Sequence, residues 1–428
     1  MAFESEEIRK RQQRRKQEAQ RRKEKQQLLR RRVTLGLIAA AVVLALCGLV
    51  IMLLQQDAEP TPTEPSAVTN PVQTQPTEPE TVIQIAFGGD LCVTDKTVAA
   101  GSTGGGYDYT DVFMDVVPFL AGSDAAVLNL EGNLIGAPYG TQSASAPQEL
   151  MNALRSAGVD MIQMANSYSI SNGLIGLRDT LDSIRQAGME PLGAYGSNEE
   201  FKSSRGFTLR SIRGVKVAFV AFTKGMDSMG LPAGSEQCVN LLYTDYTSTY
   251  QEVNTEGITS ILRDIEREKP DVTIALLHWG SEYNNQVSGT QTEIVKLMQK
   301  EGVDAIIGTH SHYVQSMEYD ENKGTVVAYS LGDFFGDSEK NYTNSSFILQ
   351  LEITKNNTAG TAKISDVDCT PIYTLTPERD GVERMKILRI PEAIAAYESD
   401  SIHKVSAETY AAMKSALSRI KSRIEPEK

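Results

Sequence analysis

The chain has 428 residues, 40% of them hydrophobic, so it is long enough to bury a sizeable core and longer than one small domain requires. Its net charge of −13 is unevenly distributed, because residues 1–32 carry 13 Lys and Arg against five acidic residues, while 29 of the 42 basic and 50 of the 55 acidic residues lie beyond them. The four cysteines are too few and too widely spaced for a disulfide framework or a zinc knuckle, which excludes both classes.

The first predicted element is a membrane-spanning helix at 33–54, a run of 22 residues without a charged side chain. At ~1.5 Å per residue this run would cross the roughly 30 Å hydrocarbon core of a bilayer. A cleavable signal peptide is the alternative, but its apolar region spans about 7–15 residues and ends at a small-x-small site. This run is longer and ends in Met52-Leu53-Leu54, so we expect an uncleaved anchor.

The charges on either side of this helix predict its orientation. Arg30, Arg31 and Arg32 precede it and Asp57 and Glu59 follow it, which places the N-terminus in the cytoplasm. We therefore expect a single-pass protein of the cell membrane with an extracytoplasmic main domain. Topology and attraction to anionic lipid explain the basic cytoplasmic tail, and no nucleic-acid binding is expected.

A linker and two further segments follow the predicted anchor. Residues 55–80 are rich in Pro, Thr and Glu and hold too few apolar side chains to fold, so they predict a disordered spacer. Residues 81–376 read as one α/β domain, because apolar runs of strand length alternate with amphipathic stretches. Residues 377–428 are predicted to be a largely helical extension.

The predicted elements of the α/β domain come in chain order. Strands are predicted at 82–89, 125–130, 160–166, 215–223, 271–279 and 304–309, and helices at 148–157, 174–187, 257–268 and 290–301. Gly158, Gly188 and Gly302 occupy the positions where helix C-caps are expected. Strand-like segments after Thr325 suggest an additional antiparallel sheet component.

Polar side chains lie at or just after the ends of several predicted strands. They are Asp90, Asn129, Glu131, Asn166, His278, Glu282, His310 and His312. The carboxyl ends of strands in an open α/β sheet share one edge, where ligands bind. An extended backbone at 308–312 would place both histidines of the His-Ser-His segment on the same face. Imidazole and carboxylate together suit Zn, Mn or Fe, and one or two such ions can activate a bound water.

Each of these residues also has a simple structural interpretation. A lone His-x-His is weak as a metal motif. Asp90 and Glu131 both stand beside glycine and are equally typical of turns. It is the joint occurrence of Asp, Glu and three histidines at the ends of successive strands that favours a metal site.

Six motifs occur in a specific order between Val82 and Tyr373. They are FGGD at 87–90, NLEG at 129–132, ANSYSISNGLIGLRDTL at 165–181, LHWGSEY at 277–283, GTHSHYVQ at 308–315 and YSLGDF at 329–334. Together they resemble the bacterial capsule-synthesis proteins of the CapA type, a family associated with poly-gamma-glutamate production and distantly similar to calcineurin-like metallophosphoesterases.

The resemblance implies a four-layer α/β/β/α sandwich of the metallophosphoesterase type with a metal site at the sheet edge. The ligands that it implies are Asp90, Glu131, His278, His310 and His312. Asn129, Asn166 and Asp333 would bind substrate, and Glu282 would orient substrate or donate a proton.

The third motif departs from the family pattern. The family usually has Asn-Asn-His followed by Asp, in which the His is a general acid, whereas this chain has Asn166-Ser167-Tyr168 and then Ser171. Tyr168 would replace the His as proton donor, but an ordinary tyrosine pKa of about 10 suits this role poorly. Asp333 also stands where the family commonly has Asn.

Three functions follow from these predictions. The leading one is an extracytoplasmic protein that hydrolyses or transfers an anionic, peptide-like envelope polymer at a metal site, with a membrane synthetase or exporter as partner. The second is a polymer-binding or scaffold module without turnover, which the altered third motif favours. The third is a generic phosphoesterase, which rests on analogy of fold.

Overall fold

The computed structural model describes residues 79–337, 339–399 and 405–424. The predicted cytoplasmic tail, the anchor at 33–54 and nearly all of the linker lie outside these residues. Within the described part of the chain, no helix combines the length and the hydropathy that crossing a membrane requires.

The described residues form sixteen strands and eleven α-helices. The strands are β1 (Glu80–Cys92), β2 (Ser102–Thr103), β3 (Gly106–Tyr107), β4 (Ala125–Glu131), β5 (Met161–Gln163), β6 (Glu190–Leu192), β7 (Thr208–Ile212), β8 (Val215–Thr223), β9 (Val272–His278), β10 (Ala305–Thr309), β11 (Met317–Asp320), β12 (Thr325–Ala328), β13 (Asp333–Phe335), β14 (Ser345–Asn356), β15 (Thr361–Leu375) and β16 (Lys386–Arg389). The helices are α1 (Asp95–Ala100), α2 (Thr110–Phe113), α3 (Val117–Leu120), α4 (Gln148–Ser156), α5 (Gly173–Gln186), α6 (Asn198–Ser204), α7 (Thr255–Glu268), α8 (Gly289–Lys300), α9 (Pro377–Asp380), α10 (Ile390–Glu398) and α11 (Ala407–Ile424).

Two mixed sheets carry the fold. The larger has the order β16-β15-β14-β1-β4-β5-β6, with β13 also paired to β1. Its strands β1, β4, β5 and β6 are parallel, and β14 to β16 are antiparallel. The smaller sheet has the order β11-β12-β10-β9-β8-β7, in which the four central strands are parallel. The mixed α/β class predicted from the sequence is therefore confirmed.

Strand β8 shows why the central strands have continuous apolar sequences: both of its faces are buried. Phe219 and Ala221 belong to a core cluster that includes side chains of both sheets, whereas Val220 and Phe222 belong to a second cluster with helices α7 and α8. Successive side chains of a strand point to opposite faces, so a strand covered on both faces has no polar alternation. The metallophosphoesterase type of the layering stays a prediction.

Four helices begin and end close to the positions that the sequence predicts. Helix α4 buries Leu150, Met151 and Leu154, and two residues after it Gly158 has a φ of +104°. A left-handed residue at this point ends a helix at little cost when it is glycine. The observed bounds of α4, α5, α7 and α8 each lie within two residues of the predicted ones.

The C-terminal segment packs on the same core as the preceding domain. Strand β16, which the sequence did not predict, pairs with β15, and Met413, Ala416 and Ile420 of α11 are buried. Arg423 donates a hydrogen bond to the carbonyl of Val314. The extension thus contacts the loop that carries His312.

The end of β1 and the loop before β13 approach each other closely, and this contact positions two carboxyl groups of the site. A Cβ atom on Gly89 would lie 1.7 Å from the carbonyl oxygen of Gly332, so only glycine fits there. The amide of Asp90 donates to that same carbonyl at 3.0 Å. This contact sets Asp90 opposite Asp333 in the pairing of β1 with β13.

Candidate functional site

The carboxyl ends of β1 and β4 hold a buried carboxylate in place. Asn129 Nδ2 donates to Asp90 Oδ1 at 2.6 Å, and the backbone amide of His310 donates to Asp90 Oδ2 at 2.9 Å. Asp90 and Asn129 belong to the larger sheet, while His310 follows β10 of the smaller sheet. The predicted polar ends of both sheets therefore meet at one place.

Glu131 lies between the histidines of the smaller sheet. Its Oε1 is 3.6 Å from His278 Nε2, and its Oε2 is 3.9 Å from His312 Nε2. The side chain is buried, and Oε1 has no hydrogen-bond partner among the described residues. A buried carboxylate oxygen without a donor is costly unless a cation satisfies it.

Two of the histidines are buried beside each other. The ring centroids of His278 and His310 are 4.4 Å apart. Burial lowers the pKa of both imidazoles well below the usual value, and the positive charge of Lys224 lowers that of His310 further. They are therefore neutral near pH 7, the form in which imidazole binds a metal.

The expectation of an extended backbone at 308–312 was wrong. Strand β10 ends at Thr309, and His310 and His312 have φ values of +88° and +57°. Both imidazoles still reach the site, where they belong to different candidate metal groups with ring centroids 6.3 Å apart. A tight turn rather than the alternation of a strand brings them there, and such left-handed non-glycine residues often occur at functional sites.

His312 faces the acidic part of the site. Its Nδ1 is 2.7 Å from Asp333 Oδ1 and 4.0 Å from Asp90 Oδ2. Burial lowers the pKa of His312, but the charges of Asp333 and Glu131 outweigh burial and raise it well above the usual value. His312 is therefore protonated and is the nearest positive charge to these carboxyl groups.

Sequence reasoning missed Cys92, which belongs to this acidic part. Its thiol lies 3.5 Å from Glu131 Oε2, 3.8 Å from His312 Nδ1 and 3.9 Å from Asp333 Oδ1. Burial raises the pKa of this thiol, and the neighbouring carboxylates raise it further. The signal was present in the sequence, since Cys92 stands two residues after Asp90 on one strand and residues so spaced share a face.

The residues of the altered third motif contact Asn129 and His278. Asn166 Nδ2 donates to Asn129 Oδ1 at 3.0 Å and to the carbonyl of Leu130 at 2.7 Å. Ser167 Oγ lies 3.1 Å from His278 Nε2. Burial and the charge of Glu131 raise the pKa of Tyr168 above that of an ordinary tyrosine, so its hydroxyl is a weaker acid than the sequence alone suggests.

Glu282 is not brought into the buried cluster. It lies on an exposed stretch after β9. Burial raises the pKa of Asp227, and the negative charge of Glu282 raises it further. Burial lowers the pKa of Lys224, and the same negative charge opposes this shift. Lys224, which sequence reasoning missed, directly follows β8 and donates to the carbonyl of Gly280 at 2.8 Å. Its position immediately after a predicted strand was the available signal.

The buried carboxyl groups of the site have raised pKa values, so protons compete with a cation for them. Burial raises the pKa of Asp90 to about 6, with His312 opposing the shift. Burial also raises the pKa of Glu131 and that of Asp333. Three buried carboxyl groups with one imidazolium among them lack compensating positive charge, which a divalent ion would supply.

The side chains fall into three groups that could hold a metal ion, each with its ligand atoms within 4.8 Å of one another. The groups are Glu131 with His278 and His310, Asp90 with Glu131 and His312, and Cys92 with His312 and Asp333. Glu131 is common to the first two. All five ligands predicted from the sequence therefore occur in these groups.

Comparison with known proteins gives related capsule proteins. A capsule biosynthesis protein, CapA, from Bacillus anthracis is 31% identical over 261 residues, which cover 59% of this chain and 60% of that protein. The PGA biosynthesis protein CapA from Bacillus subtilis is 24% identical over 296 residues, covering 65% and 70%. The chain thus spans about three fifths of the Bacillus anthracis relative.

Solved structures give more distant likenesses. The calcineurin-like phosphoesterase YfkN from Bacillus subtilis is 16% identical with a TM-score of 0.42, covering 68% of this chain and 91% of that one. A hypothetical protein from Thermus thermophilus is 11% identical with a TM-score of 0.40, covering 68% and 98%. Residues 84–338 match the family described as bacterial capsule synthesis protein PGA_cap, which is more than half of the chain. The chain belongs to this family.

Proposed function

We propose that the chain is an envelope protein of capsule biosynthesis, of the poly-gamma-glutamate type, with a divalent metal centre that hydrolyses or transfers a bond of the polymer. The observation that carries this proposal is the convergence of Asp90, Glu131 and three histidines from two sheets in one buried cluster. The unpartnered Glu131 oxygen and the uncompensated carboxyl groups fit a cation.

Asp90, Glu131, His278, His310 and His312 would hold one or two ions of Mn, Fe or Zn. Such an ion supplies a water of lowered pKa and stabilises negative charge that develops on a carbonyl or phosphoryl oxygen. Asn129 and the amide of His310 fix the orientation of Asp90 by their hydrogen bonds. Asn166 in turn fixes the amide of Asn129. Asp333 accepts from His312 or ligates directly.

The polymer is proposed from the relatives' names and from charge. Those names refer to capsule and PGA biosynthesis in Bacillus. The chain itself is acidic, which would repel an anionic polymer at long range. Lys224, beside His278 and His310, and the metal would supply the local positive charge that binds a carboxylate of the polymer.

A polymer-binding module without turnover is the second candidate. The raised pKa of Tyr168 favours it, because this phenol stands where the family has a histidine acid. In this case the metal and Lys224 would still bind the polymer, and no bond would be cleaved.

We propose that residues 33–54 anchor the chain in the cell membrane, with residues 1–32 in the cytoplasm and the main domain outside. The uncharged run and its basic N-terminal flank support this proposal. A membrane synthetase or exporter would then be a partner. Protease added to intact spheroplasts should degrade the main domain and spare an epitope at the N-terminus; the reverse result would contradict the orientation.

The test of function uses the purified full-length chain loaded with Mn²⁺ or Zn²⁺. It is incubated with poly-gamma-glutamate and, separately, with a nitrophenyl phosphodiester, and the release of free amine or of nitrophenol is measured. We expect amide cleavage that the His310→Ala variant loses. Retention of polymer without cleavage would support the binding module, and nitrophenol release alone would support a phosphoesterase. Neither binding nor cleavage would contradict the proposed function.

A further inference from the structure

The cysteine of the site has a role that the predicted ligand set leaves out. Cys92 is a free thiol at the end of β1, on the wall of the site formed by Glu131, His312 and Asp333. Each of these three neighbours offers its own ligand atom within 4 Å of the sulfur.

The spacing suits a shared ion. With metal–sulfur and metal–oxygen or –nitrogen bonds of about 2.3 and 2.1 Å, two ligands of one tetrahedral ion lie about 3.6 Å apart. The thiol is 3.5 Å from Glu131 Oε2, and this oxygen is 3.9 Å from His312 Nε2. His312 Nδ1 donates to Asp333 Oδ1 at 2.7 Å, which leaves Nε2 of the same ring to bind an ion beside Glu131.

We propose that Cys92 is a thiolate ligand of the ion held by Glu131 and His312, and that it makes this half of the centre selective for Zn²⁺, Co²⁺ or Fe²⁺ over Mn²⁺ and Mg²⁺. This inference rests on the proposed metal centre. When the sulfur–metal bond forms, a sulfur lone pair binds the ion and the thiol proton passes to water. Thiolate is a soft ligand, whereas carboxylate and water suit harder ions such as Mn²⁺.

The other half of the centre offers a contrast within the same chain. Glu131, His278 and His310 form a group without sulfur. If two ions bind, the ion next to Cys92 should be the one that prefers Zn²⁺, and the ion next to His278 should exchange more readily with Mn²⁺.

Cobalt substitution gives a direct readout. The purified full-length chain is stripped of metal and titrated with Co²⁺, with bound cobalt measured by elemental mass spectrometry. A thiolate ligand gives an intense near-ultraviolet charge-transfer band that nitrogen and oxygen ligands do not give. We expect this band in the natural chain, its loss in Cys92→Ser, and its retention in Cys238→Ala, whose thiol is buried in the hydrophobic core and belongs to none of the candidate metal groups.

Competition then tests selectivity. We expect the ratio of the affinities for Zn²⁺ and Mn²⁺ to fall roughly tenfold in Cys92→Ser. If Cys92→Ser does not fold, Cys92→Ala serves as the second variant. The presence or absence of the band in the natural chain then tests by itself whether a thiolate binds the ion. Stoichiometric cobalt without the band, or a band that survives Cys92→Ser, would overturn the thiolate ligand and leave the metal centre intact. Failure to bind cobalt at all would overturn the centre as well.

Discussion

The two halves of the site differ in how they carry charge. Around Asp90, Cys92 and Asp333, burial raises the pKa of every acidic group, and protonated His312 lies among them. Around His278 and His310, burial lowers the pKa of the imidazoles. Both halves thus approach neutrality without a cation, one by taking up protons and the other by releasing them. A metal would have to displace protons from the acidic half only.

Glu131 joins the two halves, and its loss should have the largest effect. Glu131 belongs to two of the three candidate metal groups. The Glu131→Gln variant keeps the shape of its side chain but removes its charge from both. We expect the affinity for metal to fall roughly a hundredfold, because the variant loses a ligand and not only a hydrogen bond to a ligand. Isothermal titration with Zn²⁺ checks this, with the exposed Glu321→Gln as control. Unchanged affinity would remove Glu131 from the centre.

The third motif tests whether the imidazole half supports turnover. The double variant Ser167→Asn with Tyr168→His supplies an amide and a histidine where the chain has a hydroxyl and a phenol of raised pKa. A positioned general acid contributes about 10²-fold or more, so we expect polymer cleavage to rise by roughly that factor. Release of free amine from poly-gamma-glutamate measures it. No gain, with polymer binding retained, would favour the binding module.

The acidic half should make metal affinity depend on pH. The Asp90 carboxyl, with a pKa of about 6, keeps its proton below that pH, and the proton competes with the ion. Affinity for Zn²⁺ should therefore rise about tenfold from pH 5 to pH 7 through this group alone. Burial lowers the pKa of His278 and of His310, so protons compete with the ion for these imidazoles less than they would for an ordinary histidine. Titrations at the two pH values check the sign, and an affinity that falls as pH rises would contradict it.

The smallest effect concerns the amide that orients Asp90. Asn129→Ala removes the donor to Asp90 Oδ1 and the acceptor for Asn166 Nδ2. Because it leaves buried polar groups unpaired, we expect a loss of about 1–2 kcal/mol in the free energy of unfolding. Urea denaturation of the metal-free chain measures the loss, with the exposed Asn322→Ala as control. Equal stability of the two variants would show that the contact is not required.

The sequence predicted the fold class and the meeting of polar residues because strand periodicity and strand ends are local signals. The helices at 148–157 and 174–187 were predicted nearly to the residue, since glycine and amphipathic spacing mark their ends. Strand β16 was missed because it is four residues long and depends on pairing with β15. No local pattern distinguishes such a strand from a loop.

The site was predicted more completely in its composition than in its geometry. The five residues predicted as ligands lie together in the candidate metal groups, but the turn that presents His310 and His312 was taken for a strand. Cys92 and Lys224 were passed over because each is a single residue whose meaning depends on what neighbouring strands bring near it. Glu282 was included because it follows a strand, yet its side chain is exposed. Contacts between residues that are far apart in the chain decide these cases, and no local pattern predicts them.

The metal content of the purified full-length chain tests the central claim most directly. Elemental mass spectrometry of the natural chain should give at least one equivalent of Zn, Fe or Mn, and the double variant His310→Ala with His312→Ala should lose it while circular dichroism shows an unchanged fold. A folded natural chain that holds no metal, even after incubation with Zn²⁺ and Mn²⁺, would contradict the proposed metal centre.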